Sequence, residues 1–145
     1  MANDGAKDSS GLPVGDPQSL SEVDVSVCIV TYRARDFLRD CLCSLKENTR
    51  LNYEVIVVDD GSDDGTADGV EVEFPEIRLI RLAPSGLSAA RNAGVAAAKG
   101  AILAFTDDDC EPDREWLLRL RRVFATGRYA AYDYLRNDIH VILRW

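Results

Sequence analysis

Apolar and polar positions along this chain change period several times, and each change marks an element. The run "VDVSVCIVTY" (23–32) is β-branched and almost unbroken, as a strand buried on both faces requires. Residues 36–47, "DFLRDCLCSLKE", switch to helical spacing, with Phe37, Leu38, Cys41, Leu42 and Leu45 on one stripe and charges opposite. A second strand, "YEVIVVDD" (53–60), stops at the turn residues "GSDDGT". Residues 66–74 predict a short helix with Thr66 as its cap, closed by Pro75. The pattern then predicts a third strand at 77–82 and an Ala-rich helix from about Ser85 to Lys99, with Gly100 at the C-cap. A fourth strand follows at 101–106, and an amphipathic helix at 113–127.

Strand and helix alternate throughout, which predicts an α/β fold: a largely parallel sheet joined by right-handed crossovers. Residues 1–22, rich in Gly, Pro, Ser and Asp without periodicity, are expected to be a disordered leader. Residues 23–131 form the expected domain, and 132–145 a divergent tail.

Composition narrows the classes. At 145 residues and 46% hydrophobic the chain can bury one core. Its net charge of −8 excludes a nucleic-acid backbone as the main partner, because that role needs a basic face. No secretory signal opens the chain and no apolar stretch reaches bilayer length, so a cytoplasmic location, or peripheral contact with a membrane, is expected. Cys28, Cys41, Cys43 and Cys110 show neither disulfide nor zinc spacing and are read as reduced structural thiols.

The chemistry lies where the strands end. In an open parallel sheet, ligands bind beyond the C-terminal strand ends. Here those ends carry Thr31-Tyr32, Asp59-Asp60 and Asp107-Asp108-Asp109. Gathering up to five carboxylates on one rim is unfavourable unless something offsets the charge. A hard divalent cation, Mn²⁺ or Mg²⁺, could be held by such oxygens, its shell completed by water and phosphate. Alternatively, a carboxylate could accept from the N–H groups of a base or sugar. The turn at Ser85–Ser88 opens a helix and offers amides to an anion, with Arg91 one turn further on. A metal-bridged nucleoside diphosphate would satisfy all of these groups. Solvated loop aspartates that merely cap the next element are the plainer alternative.

Three segments, "VSVCIVTYRARDFLRDCLCSL", "YEVIVVDDGSDDGT" and "GLSAARNAGVAAAKGAILAFTDDDCEPDREWLLRL", together resemble the family 2 glycosyltransferases, which have the GT-A fold. The likeness runs from about Val25 to Ala131 in unbroken order. It implies that Thr31 and Tyr32 flank the base and that Asp60 or Asp59 accepts from the base N–H. Arg91 and Asn92 would line the donor pocket. Asp107 to Asp109 would be the D-x-D element, with Asp109 the direct metal ligand and Asp107 or Asp108 facing ribose or water; Asp107 is the second candidate ligand. The family transfers a sugar from a nucleotide donor with inversion, here to an acceptor that is left open between glycan, lipid-linked and small molecules.

Arg33 departs from the Asn common in the family; it would either add a cation near the phosphates or point to solvent. The chain also ends about 35 residues after Asp109, before the family's acceptor region and general base, so a truncated donor-binding half is expected. In the tail only Asp133, Asp138 and His140 stand out as ionisable candidates, and His140 reads as part of a strand face. An inactive nucleotide-binding or interaction module, self-associating through an open sheet edge, is the alternative. A phosphate-receiver domain would need a Lys at the end of a later strand, which "HVILRW" lacks, and no G-x-G-x-x-G supports a dinucleotide fold.

Overall fold

The computed structural model describes residues 23–47, 51–125, 131–134 and 139–143, the last two stretches as backbone; the expected leader lies outside them. Four strand–helix units come first: β1 Val25–Thr31 and α1 Arg35–Lys46, β2 Tyr53–Asp59 and α2 Thr66–Glu73. They continue with β3 Arg78–Arg81, α3 Leu87–Ala97, β4 Ile102–Asp107 and α4 Trp116–Phe124. Two further strands follow, β5 Ala131–Tyr134 and β6 Ile139–Leu143.

All six strands share one sheet in the order β3-β2-β1-β4-β6-β5. The first four are parallel, with Thr31 level with Asp59 and Val30 level with Asp107. The C-terminal segment adds an antiparallel pair: β6 lies along β4, with His140 opposite Phe105, and β5 lies along β6. The edges of the described sheet are therefore β3 and β5.

Each sheet face has its own core. Val25, Val27 and Ile29 of β1 and Val57 of β2 point to one side, where Leu38, Cys41, Leu42 and Leu45 of α1 meet Trp116, Leu117, Leu120 and Phe124 of α4. Cys28, Ile56, Val58, Leu103 and Phe105 point to the other side, under Ala90 of α3. Burial on both faces is why the strands read as continuous apolar runs rather than alternating ones. Phe37, expected on the buried stripe of α1, is 65% exposed instead. At 100° per residue it lies about a quarter-turn from the stripe centred on Leu38, Cys41, Leu42 and Leu45.

Four helix ends differ from expectation, each because a side chain takes the terminal amides. Ser85 and Gly86 are held outside α3 by Asp60, and the C-cap is Ala98 rather than Gly100, since Lys99 and Gly100 donate to Ser26 and Glu54. Thr66 is not a cap but the first residue of α2; its amide and hydroxyl both donate to Asp64. Asp113 bends the chain ahead of α4 by accepting from the Glu115 amide, so that helix starts at Trp116.

Candidate functional site

The parallel register of β1, β2 and β4 brings Thr31, Asp59 and Asp107 to one rim. The period of two then separates the acids. Asp59 follows Val57 onto the α1 face, whereas Asp107 follows Phe105 onto the α3 face. Asp108, one residue on, turns back to the α1 face, where its Oδ2 accepts from the Thr31 hydroxyl at 2.7 Å. Asp60 turns to the α3 face. Neighbouring carboxylates thus diverge across the sheet, which reduces the repulsion that the tandem sequence implies.

Each acid has a distinct environment. Asp60 accepts from the Ser85 hydroxyl at 2.7 Å, the Ser85 amide at 2.7 Å and the Gly86 amide at 2.9 Å. These bonds, the Ser85 hydroxyl foremost, hold its carboxyl below the usual aspartate range. Asp60 therefore anchors the turn that opens α3, leaving the other α3 face acid, Asp107, nearer the rim. Gly61 follows at φ +84°, packed so closely on Pro84 that a Cβ would stand 2.6 Å from the ring, and this ties the β2–α2 turn to the same loop.

Asp59 is the opposite case. It is 3% exposed, its Oδ2 accepts from the Ser62 amide at 3.1 Å, and its Oδ1 is buried without a hydrogen-bond partner. A buried carboxylate oxygen left unpaired is costly unless a donor arrives.

Burial raises the Asp108 carboxyl above its usual value, opposed by the Thr31 hydroxyl and reinforced by Asp109 and Asp107. A raised folded-state value means that its contribution to stability is complete below the ordinary aspartate range and is lost as pH rises through the folded value. Asp108→Asn, which keeps an acceptor for Thr31, is therefore expected to stabilise the metal-free protein at pH 7. The gain should shrink as the pH falls through the raised folded-state value and be gone below the ordinary aspartate range; urea titrations across pH in chelator check both halves of this statement.

Asp107 caps the strand through its carbonyl, which accepts from the Cys110 amide at 3.4 Å and the Cys41 thiol at 3.7 Å. Burial first, then the charges of Cys110 and the nearby acids, push Cys41 up to about 12, so it acts as a neutral donor. All four cysteines are free thiols, as expected. Asp109 is exposed at the tip of the turn. Among the described residues no three acidic, thiol or imidazole groups close around a point that could hold an ion. Aspartate carboxylates are the hard oxygen donors that Mg²⁺ or Mn²⁺ would take, ions that keep water and phosphate in their coordination.

Tyr32, which follows Thr31 at the end of β1, stands 53% exposed. Arg33 points to the solvent side, where its half-exposed side chain pairs with Asp63 at 2.5 Å and its guanidinium lies 5.3 Å from the centre of the Tyr32 ring. Arg91 is half-buried and Asn92 exposed on α3, and neither hydrogen-bonds a rim carboxylate. Ser62 and Ser85, the residues that orient Asp59 and Asp60, were not among the sequence candidates for those roles. Their signal was present in "DDGS" and "PSG", turn residues directly after strands. Of the tail acids, Asp133 lies in β5, and Asp138 is outside the described residues.

Comparison with known proteins identifies the family and the fold. The sequence model of glycosyl transferase family 2 matches residues 26–140. Glycosyltransferase AglE of Haloferax volcanii is 41% identical over 111 residues, which are 71% of this chain and 36% of that protein. The putative glycosyltransferase EpsH of Bacillus subtilis is 39% identical over 95 residues, 61% of this chain and 27% of that one. The chain thus spans about a third of the length of the curated relatives it matches. Among solved structures, S. aureus TarS 1-349 in complex with UDP-GlcNAc superposes with a TM-score of 0.68 at 25% identity, over 75% of this chain and 33% of that one. A mannosyltransferase from Pyrobaculum calidifontis, PcManGT, in complex with GDP-Man and Mn²⁺, superposes with a TM-score of 0.68 over 99% of this chain and 48% of that one. At 20% identity the latter bears on the fold alone.

Proposed function

The chain belongs to glycosyl transferase family 2 and carries its GT-A fold, and from that premise we propose that its sheet rim binds the nucleotide end of a nucleoside-diphosphate sugar. The observation that carries this reading is the unpartnered Oδ1 of Asp59, buried beside an exposed aromatic ring and an acidic turn. A base ring N–H supplies the donor that this oxygen lacks, while Tyr32 offers a flat face for the ring. Asp60 contributes by holding the turn that opens α3, its own carboxylate taking the Ser85 and Gly86 amides. Arg91 and Asn92, on the same helix, line the donor side. Asp108, oriented by Thr31, faces the ribose.

Asp109, with Asp107 as the second candidate, would hold the divalent ion, Mn²⁺ or Mg²⁺. When bound, such an ion neutralises charge that builds up on the leaving diphosphate during sugar transfer. The exposed position of Asp109 fits that role, because an ion at the turn tip can keep both water and phosphate oxygens. Inverting transfer to an acceptor hydroxyl is the activity proposed for the whole enzyme, and its proton acceptor is not assigned to any residue here.

Calorimetric titration with UDP, GDP and dTDP, each with and without Mn²⁺, tests the reading. Binding of at least one, strengthened by the metal, is expected; no heat in any pairing contradicts it. Asp59→Asn retains an acceptor for Ser62 but can present an N–H to the base N–H. It should weaken nucleotide binding by roughly 10- to 100-fold, the loss of a charge-assisted hydrogen bond, with the melting temperature maintained.

A further inference from the structure

Arg33 is the one non-glycine residue with positive φ among the described residues, at +52°. An L-residue with a long side chain is strained there, so neighbouring contacts must impose the conformation. Three do. Its amide donates to the Ser62 hydroxyl at 2.9 Å, its guanidinium pairs with Asp63, and the same guanidinium lies over the Tyr32 ring. Ser62 in turn donates its amide to Asp59. One residue therefore links the two groups that face the nucleobase: the ring of Tyr32 directly, and the carboxylate of Asp59 through Ser62.

We infer that Arg33 is a positioning residue for the base end of the donor site, fixing the Tyr32 face and the Asp59 acceptor relative to one another. The inference rests on the donor-binding reading above. In the left-handed region the Arg33 amide turns toward the β2–α2 turn, so the β1–α1 and β2–α2 loops move as one unit rather than as two. The charge of the guanidinium is met by Asp63, and its two contacts, Asp63 and the Tyr32 ring, lie away from Asp108, which Thr31 holds. Ordering these groups before the ligand arrives removes an entropic cost from binding.

The test compares two ligands on the full chain with Mn²⁺: whichever of UDP, GDP and dTDP binds the wild type, and ribose 5-diphosphate, which lacks the base. Arg33→Gly relieves the backbone strain, so its melting temperature should hold or rise. Its affinity for the nucleotide should nevertheless fall about fivefold or more, the worth of the lost ring and loop contacts, with ribose 5-diphosphate unchanged. Asp63→Ala should lower the nucleotide affinity in the same selective manner, and Arg33→Lys should restore part of it. Unchanged nucleotide affinity in Arg33→Gly, or equal losses for both ligands, overturns the inference while leaving donor binding intact. Failure of the wild type to bind any nucleotide overturns the donor reading itself.

Discussion

Asp109→Ala is expected to remove the metal-dependent part of nucleoside-diphosphate binding, a loss of about 100-fold or more when titrations with and without Mn²⁺ are compared. The residue is exposed at the tip of the turn after β4, so its truncation opens no cavity and leaves the fold alone. Asp108 is drawn to Thr31 on the α1 face, and Asp107 anchors the turn through its carbonyl. The residual, metal-independent binding should match that of the wild type in chelator, because Asp59, Tyr32 and the α3 turn are untouched. A variant that keeps its full response to Mn²⁺ would move the ligand role to Asp107.

Gly100→Ala is expected to be the most damaging single methyl group in the domain, lowering stability by about 3 kcal/mol or more. A Cβ at Gly100 would stand 2.5 Å from the Ser26 amide nitrogen and 2.7 Å from the Val25 carbonyl carbon. Both belong to the backbone of β1, the strand between β2 and β4, and cannot yield as a side-chain tip would. The same close approach lets the Gly100 amide donate to the buried Ser26 hydroxyl at 2.7 Å, a bond that the displaced chain would lose. A domain of this size is stable by roughly 5–15 kcal/mol, so the variant should fold with a clearly lowered urea midpoint. A midpoint within about 0.5 kcal/mol of wild type would show that the chain relaxes elsewhere. Lys99→Ala, exposed next door, serves as the near-neutral control.

Much of this architecture was legible in the sequence, and the reason is physical. The runs at 23–32, 53–60 and 101–106 are largely buried on both faces, which leaves few polar positions to blur them, and the strands fall within two residues of the expected spans. The resemblance to the family carried the order of the motifs, and the parallel register then placed Thr31, Asp59 and Asp107 together. Helix ends were less legible. The starts of α3 and α4 and the end of α3 are decided by Asp60, Asp113 and the Ser26–Glu54 pair, and two of these lie far away in the chain. Phe37 was misplaced because hydrophobicity alone does not say whether a residue at the margin of a stripe has anything to pack against.

Within the site, the acids were legible and their division of labour was not. Sequence adjacency presents Asp59 and Asp60 as interchangeable. Only the pleat separates them, sending Asp60 to the Ser85 turn and leaving Asp59 with an open oxygen. Of the antiparallel β5–β6 pair only the strand around His140 was legible; its pairing with β4 and with β5 was not, since short segments carry no signal of their partners.

The central claim is that the turns after β2 and β4 form one cleft around a metal-bridged diphosphate. Paramagnetic broadening by Mn²⁺ in amide NMR spectra, recorded with and without the nucleotide that binds, tests it most directly. With nucleotide present, signals from 59–62 and from 107–110 should broaden together, and those of Asp24, Asn52 and Lys99 at the opposite end of the sheet should stay sharp. Broadening confined to the 107–110 turn, unaltered by nucleotide, would contradict a shared site.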